Sequence, residues 1–141
     1  KEWPIFGGRW EASLQAAQQG LTVWQKKRPQ AYVTYHNAIY ATGHNEGKLT
    51  AEDIHGAASK AGLTIPAPGD HTASLEKNSN LAEALGLTGT PGIIVMPVSG
   101  ATPDTITVFP EAVTAERLQA AIRKASRAQC PRSCRSSPAR G

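Results

Sequence analysis

The chain has 141 residues, of which 40% are hydrophobic, a size that suits one domain with a modest single core. Its formal charge of +4 is unevenly placed: Arg123, Lys124, Arg127, Arg132, Arg135 and Arg140 lie in the last nineteen residues with no acid among them, and the remainder holds nine basic and eleven acidic side chains, a balance of −2. The basicity belongs to the tail, so the overall charge is no argument for nucleic-acid binding. No apolar run approaches the roughly 18 residues of a membrane span, and the opening residues lack the basic and apolar regions of a signal peptide. The chain opens on Lys1 and its one methionine is Met96, which points to an N-terminus set by processing or by choice of the expressed segment, with residues upstream.

Lys1–Phe6 reads as an extended segment broken by Gly7-Gly8. Arg9 to Gln19 has Trp10, Leu14 and Ala17 at helical spacing, with Gly20 as its expected stop. Pro29 suits the first turn of a second helix whose Tyr32, Val33, Tyr35, His36, Ile39 and Tyr40 form a broad apolar and aromatic face up to Gly43. Thr50, followed by Glu52 and Asp53, is close to a capping box and starts a third helix that Gly62 closes. After the turn Pro66-Ala67-Pro68-Gly69, Asp70 or Thr72 can cap a fourth helix carrying Leu75, Leu81, Ala82 and Leu85 before Gly86. Gly92–Pro97 is a continuously apolar, β-branched run, the pattern of a buried strand; Thr105–Phe109 follows a turn-rich stretch and is the natural antiparallel partner. Thr114 caps a last helix with Leu118, Ala121, Ile122 and Ala125, and the segment beyond Ala128 has too little apolar surface to bury a core. More helix than strand is expected.

The informative motif is Leu87-Thr88-Gly89-Thr90-Pro91-Gly92, set between a helix and a strand. An X-Pro bond is the one peptide bond whose cis form costs little, about 0.5–1 kcal/mol, and a proline at the mouth of a strand needs a geometric reason. A cis Thr90-Pro91 bond would supply it; a trans proline that merely starts a strand is the alternative from these residues alone. The longer stretch Asn80 to Val95 resembles the closing half of the bacterial Dsb-type thiol:disulfide oxidoreductases and isomerases, where a helix ending in Leu-Gly is followed by Gly-Thr-Pro. Trp3-Pro4-Ile5-Phe6-Gly7-Gly8 is similar to the segment after that family's redox helix, and Val108 to Ala112 with Thr114 to Ala125 is similar to its last strand and helix. The family's common glycine near the end of that strand is absent, with Glu111 or Ala112 in its place.

The resemblance implies an α/β, thioredoxin-like fold with a helical insertion over about residues 9–86, lacking the N-terminal strand-helix-strand, in a domain of residues 1–126 followed by a basic, disordered tail at 127–141. It further implies a cis-proline groove in which Thr88, Gly89, Thr90, Pro91 and Gly92 bind substrate, with Thr90 pairing to an extended client as an added strand. Clients would be unfolded or misoxidised proteins in the periplasm, with a homodimer as a possible assembly and no cofactor.

One departure limits that reading. Disulfide exchange needs a thiolate, which the family obtains from a Cys-x-x-Cys at a helix N-terminus. The two cysteines here, Cys130 and Cys134, are separated by three residues and lie in the tail. The resemblance then implies a chain that begins after the first strand, redox helix and second strand, or a lineage that discarded them. Two functions follow: a fragment of a thiol:disulfide interchange protein, inactive alone and without catalytic residues of its own, or a non-catalytic peptide-binding, chaperone-like module. A helical α/β domain of unrelated function is the third reading, tied to a trans Thr90-Pro91 bond and no thioredoxin-like topology. His36, His44, His55 and His71 lack metal-ligand spacing, so no metal is expected. Glu52 and Asp53 read as capping residues, and no Ser/His/Asp set has a convincing setting. Trp3, Trp10 and Trp24 read as packing residues, any uncovered aromatic surface favouring dimerisation.

Overall fold

The structure, a computed structural model, describes residues 1–44, 47–64 and 68–128. It falls into two compact units, Lys1–Leu81 and Ala82 onward. The first contains α1 (Glu11–Lys27), α2 (Pro29–Ala41), α3 (Ala51–Lys60) and most of α4 (Thr72–Ala84). The second contains the last turn of α4, β1 (Ile93–Val95), a 3-10 turn at Pro103–Thr105, β2 (Thr107–Phe109) and α5 (Ala115–Ala128).

Lys1–Phe6 is not extended throughout, contrary to expectation. Ile5 N–H donates to Trp3 O at 2.9 Å and Gly7 N–H to Pro4 O at 2.8 Å, so the chain curls through successive turns that lead into α1. The extent of α1 also differs from expectation, because the helix runs through Gly20 to Lys27. A Cβ at Gly20 would lie 3.2 Å from Tyr35 Cε1 and 3.5 Å from Tyr32 Cε2. The glycine is therefore the place where α2 approaches α1, and tertiary packing outweighs its low helix propensity.

Local signals decide the other helix ends. Pro29 is at the first turn of α2, where its missing N–H costs nothing. At α3, Thr50 Oγ1 accepts from Asp53 N and Asp53 Oδ2 accepts from Thr50 N at 3.0 Å, completing the capping box. Gly62, at φ +81°, closes the same helix: its N–H reaches Ser59 O and Leu63 N–H reaches Ala58 O, the paired bonds of a Schellman end. Before α4, Asp70 Oδ1 accepts from Thr72 N and Thr72 Oγ1, while His71 O takes the first bonds from Ser74 and Leu75. Asp70 thus caps the approach to the helix, and Thr72 is its first residue. The proposed turn at Pro66-Ala67 and the tail with Cys130 and Cys134 lie outside the described residues.

The core of the first unit is Val23, Tyr35, Ala57, Ala58, Ala61 and Leu63, with Ala31, Tyr32, Ala38 and Ile39 against it. Small residues on α3 let Tyr35 fill the space between helices, and Tyr35 Oη donates to Ala16 O at 2.8 Å. Burial pushes the Tyr35 hydroxyl well above its ordinary pKa. Tyr32 moves the same way, through burial and its hydrogen bond to Glu2. An acid held protonated by folding supports the native state fully below its unfolded pKa, near 10, and loses that contribution as pH rises toward the folded value. The urea midpoint should accordingly fall between pH 8 and pH 11, and the fall should shrink in a Tyr32→Phe/Tyr35→Phe double variant. Equal pH sensitivity in the two proteins would assign the effect to other groups.

In the second unit, β1 and β2 pair antiparallel, with Ile93 opposite Phe109, Ile94 opposite Val108 and Val95 opposite Thr107. The apolar run was expected to be buried, yet Ile94 is 39% exposed and its neighbours are half-buried. Among the described residues the sheet has two strands, with α5 against it. Phe109, Ala121 and Ala125 are the buried apolar side chains on β2 and α5. The helix starts where Thr114 O accepts from Leu118 N.

Candidate functional site

The Thr88–Gly92 loop is positioned from both ends. At the close of α4, Gly86 takes φ +66°, its N–H bonds Glu83 O, and Leu87 N–H bonds Ala82 O. This second Schellman end turns the chain sharply out of the helix. Downstream, a Cβ at Gly92 would come within 2.6 Å of Leu87 Cδ1, so the glycine leaves room for Leu87 across the loop. The intervening Thr90-Pro91 bond is cis.

Thr88, Thr90, Pro91 and Gly92 are exposed and Gly89 is half-buried. Among the described residues, no backbone hydrogen bond engages the N–H or C=O of Thr88, Gly89 or Thr90. These main-chain groups stand directly before β1, whose one partner strand among the described residues is β2. Threonine, proline and glycine bring no ionisable side chain to the loop. The loop offers donors and acceptors to a ligand but no acid, base or thiolate.

The other candidates are accounted for by packing and capping. His44 Nδ1 donates to Asp53 Oδ2 at 2.8 Å; that bond, followed by the bond from Thr50 N–H, holds the Asp53 carboxyl below the usual carboxylate range. His71 Nε2 lies 3.0 Å from Thr22 Oγ1, which also accepts from Gly69 N, and His71 N–H donates to Gln18 Oε1. His36 stacks between Tyr32 and Tyr40 on α2. Among the described residues no three His, Cys, Asp or Glu side chains are grouped to hold a metal ion, and no helix is long and apolar enough to cross a membrane. Trp10 packs against Phe6, with ring centroids 4.9 Å apart, and Trp24 meets Tyr32 edge-on while remaining 50% exposed. Sequence reasoning missed the Leu87–Gly92 contact. The signal was available in the glycine after the proline, but its partner could be known only from the fold.

The chain is a thioredoxin-like α/β protein with helical insertions, carrying its Gly-Thr-Pro loop at the entrance to a strand. It has a solved thioredoxin-fold relative, BcfH of Salmonella enterica Typhimurium: the TM-score is 0.68 and the identity 36%, over 89% of this chain and 55% of that one. The chain therefore spans about half the length of that relative. No protein-family model and no curated protein matches it.

This kinship is one of fold and brings no redox-active motif with it. The expectation of oxidoreductase, disulfide-isomerase and redox character is overturned by the residues themselves: the sequence has no Cys-x-x-Cys, and every described position is occupied by something other than cysteine. Among the described residues there is no thiolate to attack a disulfide sulfur, the step with which exchange begins.

Proposed function

We propose that this chain is a thiol-independent peptide-binding module of the thioredoxin fold, which holds an extended polypeptide by main-chain hydrogen bonds at Thr88–Gly92. The unengaged backbone of Thr88, Gly89 and Thr90 at the mouth of β1 carries the proposal. Strand addition uses such groups and tolerates varied side chains, because the ligand contributes its backbone. Unfolded or misoxidised polypeptides as clients, and a periplasmic location, belong to the same reading and come from the Dsb resemblance. In this reading residues 1–126 act as the binding domain and 127–141 as an appended tail.

The test uses the 141-residue chain with Cys130 and Cys134 alkylated, and a fluorescent, reduced and carboxymethylated polypeptide as ligand. Fluorescence anisotropy should show binding unaffected by alkylation. Thr90→Pro, which removes one backbone N–H, should raise Kd at least about tenfold, equivalent to about 1.4 kcal/mol, with an unchanged far-UV CD spectrum. Thr90→Ala should stay near the parent value. An alkylated chain that does not bind, or an alanine variant as weak as the proline one, would sink the proposal.

A further inference from the structure

Helix α1 carries three glutamines in five residues, at 15, 18 and 19, and two of them have evident partners. Gln15 Nε2 donates to Glu11 Oε1 at 3.1 Å, and Gln18 Oε1 accepts from His71 N at 2.6 Å. Gln19 is different. It is 1% exposed, and neither Oε1 nor Nε2 finds a hydrogen-bond partner among the described residues. A primary amide removed from water with both ends unpaired is one of the costlier features a protein interior can hold.

Gln19 does not abut a wholly apolar wall. It lines a cavity of about 40 Å³ with Gln15, Ala51, Ile54, His55 and Pro68, between α1 and the start of α3. A void of this size admits about one or two water molecules, and a buried water needs two to four polar partners. The Gln19 amide provides a donor and an acceptor, and the Gln15 amide and His55 imidazole bring further polar atoms to the lining. Ile54, 4% exposed, supplies an apolar wall.

We infer that the cavity beside Gln19 is a water-binding site, in which one or two ordered waters satisfy the Gln19 amide and bridge α1 to α3. The site is distinct from the Thr88–Gly92 loop and stands whether or not that loop binds peptide. Neighbouring Gln18 and Thr22 make direct bonds to Gly69 and His71; Gln19 makes its link through solvent.

A crystal structure of the full chain at about 1.5 Å should show density in the cavity within hydrogen-bonding distance, about 2.7–3.2 Å, of Gln19 Oε1 or Nε2. An empty cavity, or a Gln19 amide turned onto a protein partner, overturns the inference. A second measurement uses Gln19→Met, which keeps side-chain length and removes the amide. If water already satisfies the amide, Tm should fall or stay level. A rise above about 3 °C would mean that an unpaired amide had been removed, and would overturn it equally.

Discussion

Replacing Tyr35 by alanine is expected to lower the unfolding free energy by about 3–5 kcal/mol, the range for truncating a large aromatic in a packed core. Tyr35 is 3% exposed and stands with Val23, Ala57, Ala58, Ala61 and Leu63. Its neighbours on α3 are mostly alanines, whose short side chains cannot swing in to refill the space, so most of the cavity should persist. Tyr35→Phe keeps the ring and deletes the bond from Oη to Ala16 O, and should cost about 1–2 kcal/mol. Urea unfolding followed by far-UV CD reads both variants. Against the total of about 5–15 kcal/mol typical of a domain, that loss is roughly a fifth of the stability at the least and all of it at the most. A loss of less than about 1 kcal/mol for Tyr35→Ala would mean that the three helices do not depend on this ring.

The features legible in the sequence were those set by a few adjacent residues. Pro29, the Thr50–Asp53 box, Gly62 and Gly86 mark their helix ends because the groups that need partners lie within one turn of the residues that supply them. The start of the Thr88–Gly92 loop was legible for the same reason, since Gly86 closes α4 within one turn. What could not be read depended on distant residues. Lys1–Phe6 has strand-like composition, but Asn78 of α4 donates to Glu2 O at 2.7 Å and Tyr32 of α2 bonds the Glu2 side chain, so this segment is fastened to helices. The apolar run Ile93–Val95 suggested burial on both faces; the degree of burial depends on what covers the sheet, which composition does not encode. Buried Gln19 gave no signal either, since a glutamine on a helix is ordinarily solvated.

The same distinction bears on function. The residues that would bind a peptide backbone form a short contiguous loop and could be named from sequence. Redox character was carried over from a resemblance to whole proteins and failed on the one requirement that is a residue type, a reactive cysteine pair. The helical unit needs no thiol to fold. Its core is aliphatic and aromatic, with hydrogen bonds accepted by Thr22 and Gln18 and one donated by Tyr35 tying helices and loop together.

Gly20→Leu should destabilise the chain by about 3 kcal/mol, and the comparison with glycine at position 56 shows why. Both glycines lie inside helices, so a side chain at either recovers about 1 kcal/mol of helix propensity relative to glycine. At Gly56 a Cβ would meet nothing within 4 Å, and Gly56→Ala should raise stability by close to that amount. At Gly20 the Cβ alone would come 3.2 Å from Tyr35 Cε1 and 3.3 Å from Glu2 Oε1. The tyrosine ring is held by its hydrogen bond and by the core, so it cannot turn aside without opening a cavity of its own. Gly20→Ala should therefore gain little or lose stability. The larger leucine adds three more carbons where the ring sits, forcing α1 and α2 apart at an overpacking cost that exceeds the propensity gain. Thermal unfolding of the three variants checks the argument: Tm should rise for Gly56→Ala, change little or fall for Gly20→Ala, and fall by more than 10 °C, roughly, for Gly20→Leu. If Gly20→Ala and Gly56→Ala were equally stabilising, α1 and α2 could not approach each other at Gly20, and helix propensity rather than packing would govern this stretch of α1.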